Sequence, residues 1–373
     1  MIRKSGSLTL LVAGLPLLAL GAAPGGGAAS VVRAPIRYEI SDLGTFGGPT
    51  SVALGINENG QVVGSADLPT GQRRAYIWED GVMTELSPLP GFPVSEAWDI
   101  NNHGVAVGVS ISGGEGAVMW KKGAVTYLGS LGGQSSALAI NDAEQVVGTS
   151  ETAGSSHAFL WEAGVITDLG TLGGSYSIAW DINENGQIVG GSFTGFGEHA
   201  FLWDDGVMQD LGTLGGEQSV AFGVNDSAAV VGRAQSEFGS KTQYAFIWVD
   251  GTMTNLGALG GFDGSSRGAE INNSGQVIGR PQFLYDPRFG VLDFDAMLPL
   301  GHGWSFLTPR AMNDEGQIVG SGFGPSGLHA FLMNPVPQPL VPTLHPVATA
   351  ILALLILTAG IAISARGRGA RAL

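Results

Sequence analysis

No cysteine occurs among the 373 residues. Thiolate nucleophiles, cysteine-ligated metals and disulfide staples are therefore excluded. An exported domain of this size can hold together without disulfides if its core is large. Charge is sparse as well, at 13%, and basic charge sparsest: 17 Lys and Arg stand against 32 Asp and Glu, a formal net charge of −15. Setting aside Arg3, Lys4, Arg366, Arg368 and Arg371 near the ends leaves 12 basic residues (17 minus 5) and a charge of about −20. Such a surface repels phosphate backbones, so nucleic acid is not expected as a partner. The chain also lacks HExxH, GxSxG, catalytic carboxylate pairs and a glycine-rich phosphate loop in context. No catalytic residue, cofactor or metal set is expected from it.

Glycine is abundant, at 61 residues, and it recurs on a plan. The plan is clearest in Asp168–Gly190, DLGTLGGSYSIAWDINENGQIVG. Asn57, Asn101, Asn141, Asn183, Asn225, Asn272 and Asn313 are spaced 40 to 47 residues apart. Each is followed seven residues later by a glycine: Gly64, Gly108, Gly148, Gly190, Gly232, Gly279 and Gly320. An offset that never changes predicts a hairpin of fixed register. Asn59-Gly60 and Asn185-Gly186 supply the positive φ of its turn. A short strand is expected before the turn, as in Ser177–Ile182, and another after it, as in 187–190. The aromatic block, as in HAFLW (157–161 and 199–203) and HAFLM (329–333), reads as a third strand, apolar on both faces. VITDLG (165–170) reads as a fourth.

Four short strands per unit, seven times over, predict an all-β fold, a seven-bladed β-propeller. Small residues such as Ser177 and Ala179 suit an innermost strand beside a narrow channel. The ends predict how the ring closes. The last unit stops at Met333 without a fourth strand, while Tyr38–Gly44 stands unpartnered before the first. Asp42 precedes Asn57 by the same 15 residues that separate Asp168 from Asn183. The N-terminal strand is therefore expected to complete the seventh blade and remove an open sheet edge.

The termini are of different material. Residues 1–30 read as a signal peptide, with Arg3 and Lys4 ahead of the apolar run Leu8–Leu20; a retained signal anchor is the alternative. The propeller is expected over 36–335. A proline-rich linker, 336–347, leads to an apolar stretch, 348–365, long enough for a transmembrane helix. A basic tail, 366–373, is expected on the cytoplasmic side. A plain C-terminal membrane anchor and a processed sorting signal both fit this pattern.

Two resemblances attach to these residues. Val341, Pro342, Thr343 and Leu344, followed by the apolar span and basic tail, resemble the IPTL class of C-terminal sorting signals related to PEP-CTERM. That resemblance implies processing by an exosortase-type membrane protease. His345-Pro346 stands where the class usually continues with a Ser-Glu-Trp-Gly-like segment. The repeats over about 36–335 resemble the HAF family of extracellular repeats, named for the His-Ala-Phe block at 157–159, 199–201 and 329–331. The resemblance implies an extracellular repeat protein and supplies no biochemical role.

Strand alternation sorts the loops onto two rims. The Asn-Gly hairpins share one, here the hairpin rim, with the short turns at 79–81, 121–123, 162–164, 204–206 and 249–251. The LGTLGG-type loops and the loops before the aromatic block share the other, the loop rim. Loop-rim lengths vary: 16 residues separate Gly232 from Trp248, but 6 separate Gly279 from Tyr285. A ligand, glycan or protein, is expected on that rim over the channel mouth. His157, His199 and His329 enter the third strand from there and read either as ligand-facing imidazoles or as structural hydrogen-bonders. Trp304, near the same rim, could stack on a sugar. Trp98 and Trp180 read as packing residues. Asp181–Gly186 resembles the start of a calcium loop, but Ser192 stands where a bidentate Glu is needed.

The functional expectation is a non-enzymatic binding or structural module, surface-displayed or secreted. The alternative is a carbohydrate-active enzyme, a polysaccharide lyase or glycosidase. An enzyme would break the repeat symmetry with His, Tyr, Arg or carboxylate side chains clustered on one rim. The sixth unit, with Arg280, Tyr285, Asp286 and Arg288, departs furthest from the repeat.

Overall fold

The computed structural model describes residues 36–257 and 265–336. These form seven four-stranded antiparallel sheets, arranged as the blades of a propeller. Blade 4 shows the unit: Ser177–Ile182 is the inner strand a, followed outward by Ile188–Phe193 (b), Glu198–Asp204 (c) and Val207–Asp210 (d). Blades 1 to 6 each take their four strands from one continuous stretch.

Blade 7 joins the two ends. Its strands a to c are Ser305–Met312, Ile318–Gly324 and Gly327–Pro335, and its outer strand is Tyr38–Asp42. Tyr38 pairs with Pro335, Ile40 with Met333 and Asp42 with Phe331. Tyr38 is fully buried, and the Val336 N–H donates to the Arg37 carbonyl at 2.8 Å. The edge that either end would expose alone is thereby covered.

The expected C-terminal transmembrane helix is corrected. Among the described residues no helix is long and apolar enough to cross a membrane. The helix they contain, Phe294–Met297, is four residues long and buries Phe294 and Met297 after blade 6. The expected span at 348–365, the signal peptide at 1–30, the sorting motif at 341–344 and the basic tail lie outside the described residues.

The core lies between blades. Tyr76, Phe159, Phe201, Phe246, Phe283 and Phe331 occupy one position of strand c, and all are essentially inaccessible. Each contributes roughly 1.5–3 kcal/mol by leaving water. The invariant glycine seven residues after each asparagine makes this packing possible. A Cβ there would collide with the strand-a carbonyl opposite: Val52 for Gly64, Ile178 for Gly190, Thr308 for Gly320. The glycines thus answer a close approach of two backbones, beyond the hairpin register that their spacing suggests.

Strand a carries a bulge three residues before each asparagine, as between Ala179 and Asp181. The bulge divides the strand. Ala179 ahead of it is buried between blades, whereas Trp180 at it lines the channel. The serines expected beside the channel face the neighbouring blade instead. Ser177 Oγ accepts the Ala158 N–H at 2.8 Å and donates to the Gly170 carbonyl at 2.5 Å, both in blade 3. Ser51 does the same for blade 7, through Ala330 N–H and the Gly44 carbonyl.

Candidate functional site

Two halves of the axial channel differ in kind. On the hairpin rim, the seven asparagines close a ring. Each Nδ2 donates to the backbone carbonyl of the next asparagine, from Asn57 to Asn101 at 2.9 Å and on around to Asn313, which returns to Asn57 at 3.0 Å. Each Oδ1 meanwhile accepts N–H groups of its own turn, as Asn183 does from Asn185 and Gln187 at 3.1 and 2.9 Å. The position therefore needs an amide: aspartate lacks the donor and leucine lacks both functions.

A second ring runs beside the first. Glu58, Asn102, Asp142, Glu184, Asp226, Asn273 and Asp314 each follow a ring asparagine. The backbone N–H of each reaches the side chain of the next, for example Glu184 N–H to Asp226 Oδ1 at 3.0 Å and Asp314 N–H to Glu58 at 3.0 Å. Burial, opposed by these N–H donors, pushes Glu58 and Glu184 up from the usual carboxylate range.

The other half of the channel, toward the loop rim, holds a cavity of about 360 Å³. Its wall at the bulge is mostly apolar: Leu54, Trp98, Leu138, Trp180, Phe222, Ala269 and finally Arg310. Arg233, Arg267 and Arg280 join Arg310 there. Phe222 lies between two of them, 5.6 Å from the Arg233 guanidinium and 5.3 Å from that of Arg267. None of the four forms an ion pair with a described carboxylate. The Nε of Arg233 and the Nε and Nη2 of Arg280 are buried without a hydrogen-bond partner, as is the indole N–H of Trp98. Burial lowers the pKa of Arg280 to about 10, and the charges of Arg310 and Arg267 add to the effect. Arg310 is exposed and also lines the cavity, and partial burial lowers its pKa too.

Three carboxylates stand where the halves meet. The residues two before each asparagine alternate around the ring as Gly55, Asp99, Ala139, Asp181, Gly223, Glu270 and Ala311. The small members make room: a Cβ on Gly55 would come within 2.9 Å of the Asp99 backbone. Asp99 accepts N–H groups from Ile100 at 2.8 Å and, across to blade 3, from Ile140 at 2.9 Å. Asp181 holds Ile182 and, in blade 5, Val224, both at 2.8 Å. Glu270 Oε1 accepts from Ile271 at 3.0 Å. Burial raises Asp99 to about 6 and Asp181 to about 7 against those hydrogen bonds. Glu270 is raised well above the usual range by burial and by the nearby Asp181 and Asp99.

Of the residues singled out from sequence, the histidines and Trp304 lie elsewhere. The histidines are not brought together: each imidazole Nδ1 pairs with a carboxylate on the outer strand of its own blade. His157 meets Asp168 at 2.8 Å, His199 meets Asp210 at 2.8 Å and His329 meets Asp42 at 2.9 Å. Trp304 is only 8% exposed and packs edge-on against Phe331 at 5.9 Å. Trp98 and Trp180, read as packing residues, line the cavity. Of the sixth-unit residues, Arg280 enters the cavity, whereas Asp286 binds Arg288 and Gln276. Among the described residues no cluster of His, Asp or Glu could hold a metal ion. Arg233, Arg267, Arg310, Asp99 and Glu270 were missed. Their signal was departure from the repeat: at the bulge for Arg310, next to it for Asp99 and Glu270, and toward the loop rim for Arg233 and Arg267.

No known protein family matches the sequence, and no curated protein does. Solved structures do. A catalytically inactive virginiamycin B lyase from Staphylococcus aureus, solved with quinupristin, aligns at 9% identity over 80% of this chain and 99% of its own, with a TM-score of 0.52. TolB from Acinetobacter baumannii aligns at 13% identity and a TM-score of 0.40 over 79% of this chain; the match spans 65% of the TolB chain. A gluconolactonase from Xanthomonas campestris aligns at 13% identity and a TM-score of 0.39, over 84% and 99% of the two chains. At such identities the likeness is one of fold, and propellers with and without catalysis share it.

Proposed function

We propose that this chain is an exported, non-enzymatic binding module whose axial cavity receives an anionic group from the loop rim, presented by a glycan or a protein. One observation carries the reading: four guanidiniums share a cavity without a carboxylate partner, in a chain with few basic residues. Crowded, partly buried cations with unpartnered nitrogens are costly unless something neutralises them. Guanidinium forks suit carboxylate, sulfate or phosphate, and the cavity size is that of a small-ligand site. Export rests on the basic-then-apolar N-terminal segment and on the resemblance to HAF-type extracellular repeats.

The test compares two sugars that differ by one carboxylate. Isothermal titration of the full chain should show binding of galacturonate and not of galactose, and Arg280→Gln should abolish it. Equal binding of the two sugars would refute the reading, as would failure of galacturonate, glucose 6-phosphate and sulfate alike.

A second reading, a carbohydrate-active enzyme, draws on Asp99, Asp181 and Glu270. Carboxylates raised toward neutrality in a cavity fit general acid–base work. Incubation with a panel of acidic and neutral polysaccharides, read by new reducing ends and by absorbance of unsaturated products, tests it. Turnover that Asp181→Asn removes would favour this reading over the first.

A further inference from the structure

The cavity is not uniformly basic. Arg267 opens strand a of blade 6, Arg267–Ile271, and Arg280 ends strand b, Val277–Arg280, so both stand at the loop-rim end of that blade. Asp99, Asp181 and Glu270 lie at the opposite end of the same cavity, two residues from the asparagine ring. A second hollow, on the hairpin-rim side, is lined by the same three carboxylates and by the carbonyl-bonded asparagines. The carboxylates therefore form the floor of the basic cavity, not a separate patch.

That floor keeps acceptor capacity. Each carboxylate oxygen of Asp99 and Asp181 accepts one backbone N–H, and a carboxylate oxygen has two lone pairs. Glu270 uses Oε1 alone; no described residue donates to its other oxygen. The three come from blades 2, 4 and 6, so they approach the axis from separated directions. Between the charged ends stand Trp98, Trp180 and Phe222, with apolar faces and one unpartnered indole N–H. A simple anion would satisfy the guanidiniums and leave the acceptors of the floor unused.

We propose that the cavity binds a small zwitterion, its anionic group held by Arg233, Arg267, Arg280 and Arg310 and its ammonium directed to Asp99, Asp181 and Glu270. An amino sugar phosphate or an amino acid of matching length has this chemistry, with ring or methylene carbons against the aromatic wall. This rests on the anion-binding reading above and narrows it.

The experiment is a matched ligand series titrated into the full chain. The phosphate arm compares glucosamine 6-phosphate with glucose 6-phosphate and N-acetylglucosamine 6-phosphate. The carboxylate arm compares 6-aminohexanoate with hexanoate. In at least one arm the free amine should bind tenfold or more tightly than its amine-free partner, and N-acetylation should remove the gain. Glu270→Gln should narrow the gap between glucosamine 6-phosphate and glucose 6-phosphate at least threefold, and an undiminished gap would count against an ammonium on the floor. Amines binding no better than their partners in both arms would overturn the zwitterion and leave the anion site standing. Failure of every phosphate and carboxylate, galacturonate included, would overturn the anion site and the zwitterion with it.

Discussion

The hairpin-rim half of the channel repeats itself seven times, and the loop-rim half does not. Where all blades carry the same asparagine and the same glycine, side chains and backbone satisfy one another and leave nothing over. Where the blades differ, from Gly55 to Asp99 or from Leu138 to Arg310, unpaired charge and unpartnered donors collect in one cavity. Symmetry here marks what holds the ring together, and its breaking marks what the ring could act on. The contrast is most severely tested by cutting the ring. Deleting residues 36–43 exposes the outer edge of the blade 7 strand c from Ala330 to Pro335. Loss of the cooperative thermal transition and elution as aggregate are expected; an unchanged melt would mean that the outer strand of blade 7 is dispensable.

Within the ring, Asn183→Ala strands the N–H groups of Asn185 and Gln187 and the carbonyl of Asn225. A loss of about 2–4 kcal/mol is expected in urea unfolding, at roughly 1–3 kcal/mol per buried group left unsatisfied, offset by relaxation. Asn183→Asp should lose nearly as much, because it removes the donor and buries a charge. Asn101→Ala should match Asn183→Ala closely. Unequal losses would show that the seven positions are not equivalent.

The symmetric half was legible in sequence because its cause is local and repeated. A fixed interval from Asn183 to Gly190 encodes one hairpin, and seven copies average out the drift of each. The closure was legible for the same reason: Asp42 stands at the interval that Asp168 and Asp210 keep. The cavity was not, because its charged residues replace the repeat's small or apolar ones at several different positions and in only some blades. Arg233 is in strand b of blade 5, Arg267 in strand a of blade 6 and Arg310 in strand a of blade 7. The ring alone brings them together. The bulge before each asparagine was equally hidden, and it turns Trp98 and Trp180 to the channel when strict alternation would place them against a blade.

The carboxylate floor gives the comparison a pH axis. Asp99 and Asp181 carry folded-state pKa values of about 6 and about 7, against about 3.9 for an unfolded aspartate. Between those values the folded chain holds more protons than the unfolded one, so stability falls as pH rises from about 4 to about 7, and Glu270, raised in the same direction, adds to the fall. Each pKa unit is worth about 1.4 kcal/mol, so the two aspartates together account for a decline of up to about 7 kcal/mol. Below that window the sign reverses, because Arg288 holds Asp286 down to about 2 and that stabilisation fades on protonation. Urea midpoints at pH 5 and pH 8 check this. Asp181→Ala should flatten the slope whatever it does to the absolute stability; an undiminished slope would place the titration elsewhere. Arg310→Met should act more gently, raising stability by less than about 1 kcal/mol, because water screens an exposed charge among the four. A loss there would mean that the guanidinium has a partner.

The smallest effect belongs to the residues most conspicuous in sequence. His157, His199 and His329 each pair with one partly exposed aspartate, and in no case with each other. Exposed ion pairs contribute about 0–1 kcal/mol. His157→Gln and His199→Gln should therefore shift the urea midpoint little. His329→Gln differs in what its partner does, since Asp42 lies in the strand that closes the ring. Its pair clasps two segments 287 residues apart, where those of His157 and His199 clasp strands joined by a turn. A strand held by the chain on one side alone gains more from a distant clasp, so His329→Gln should speed unfolding more than His157→Gln while shifting equilibrium stability by a similar small amount. Stopped-flow unfolding in urea separates the two quantities. Equal unfolding rates for the two variants would show that the pairing of Tyr38–Asp42 along its backbone is enough to seal the ring without its imidazole.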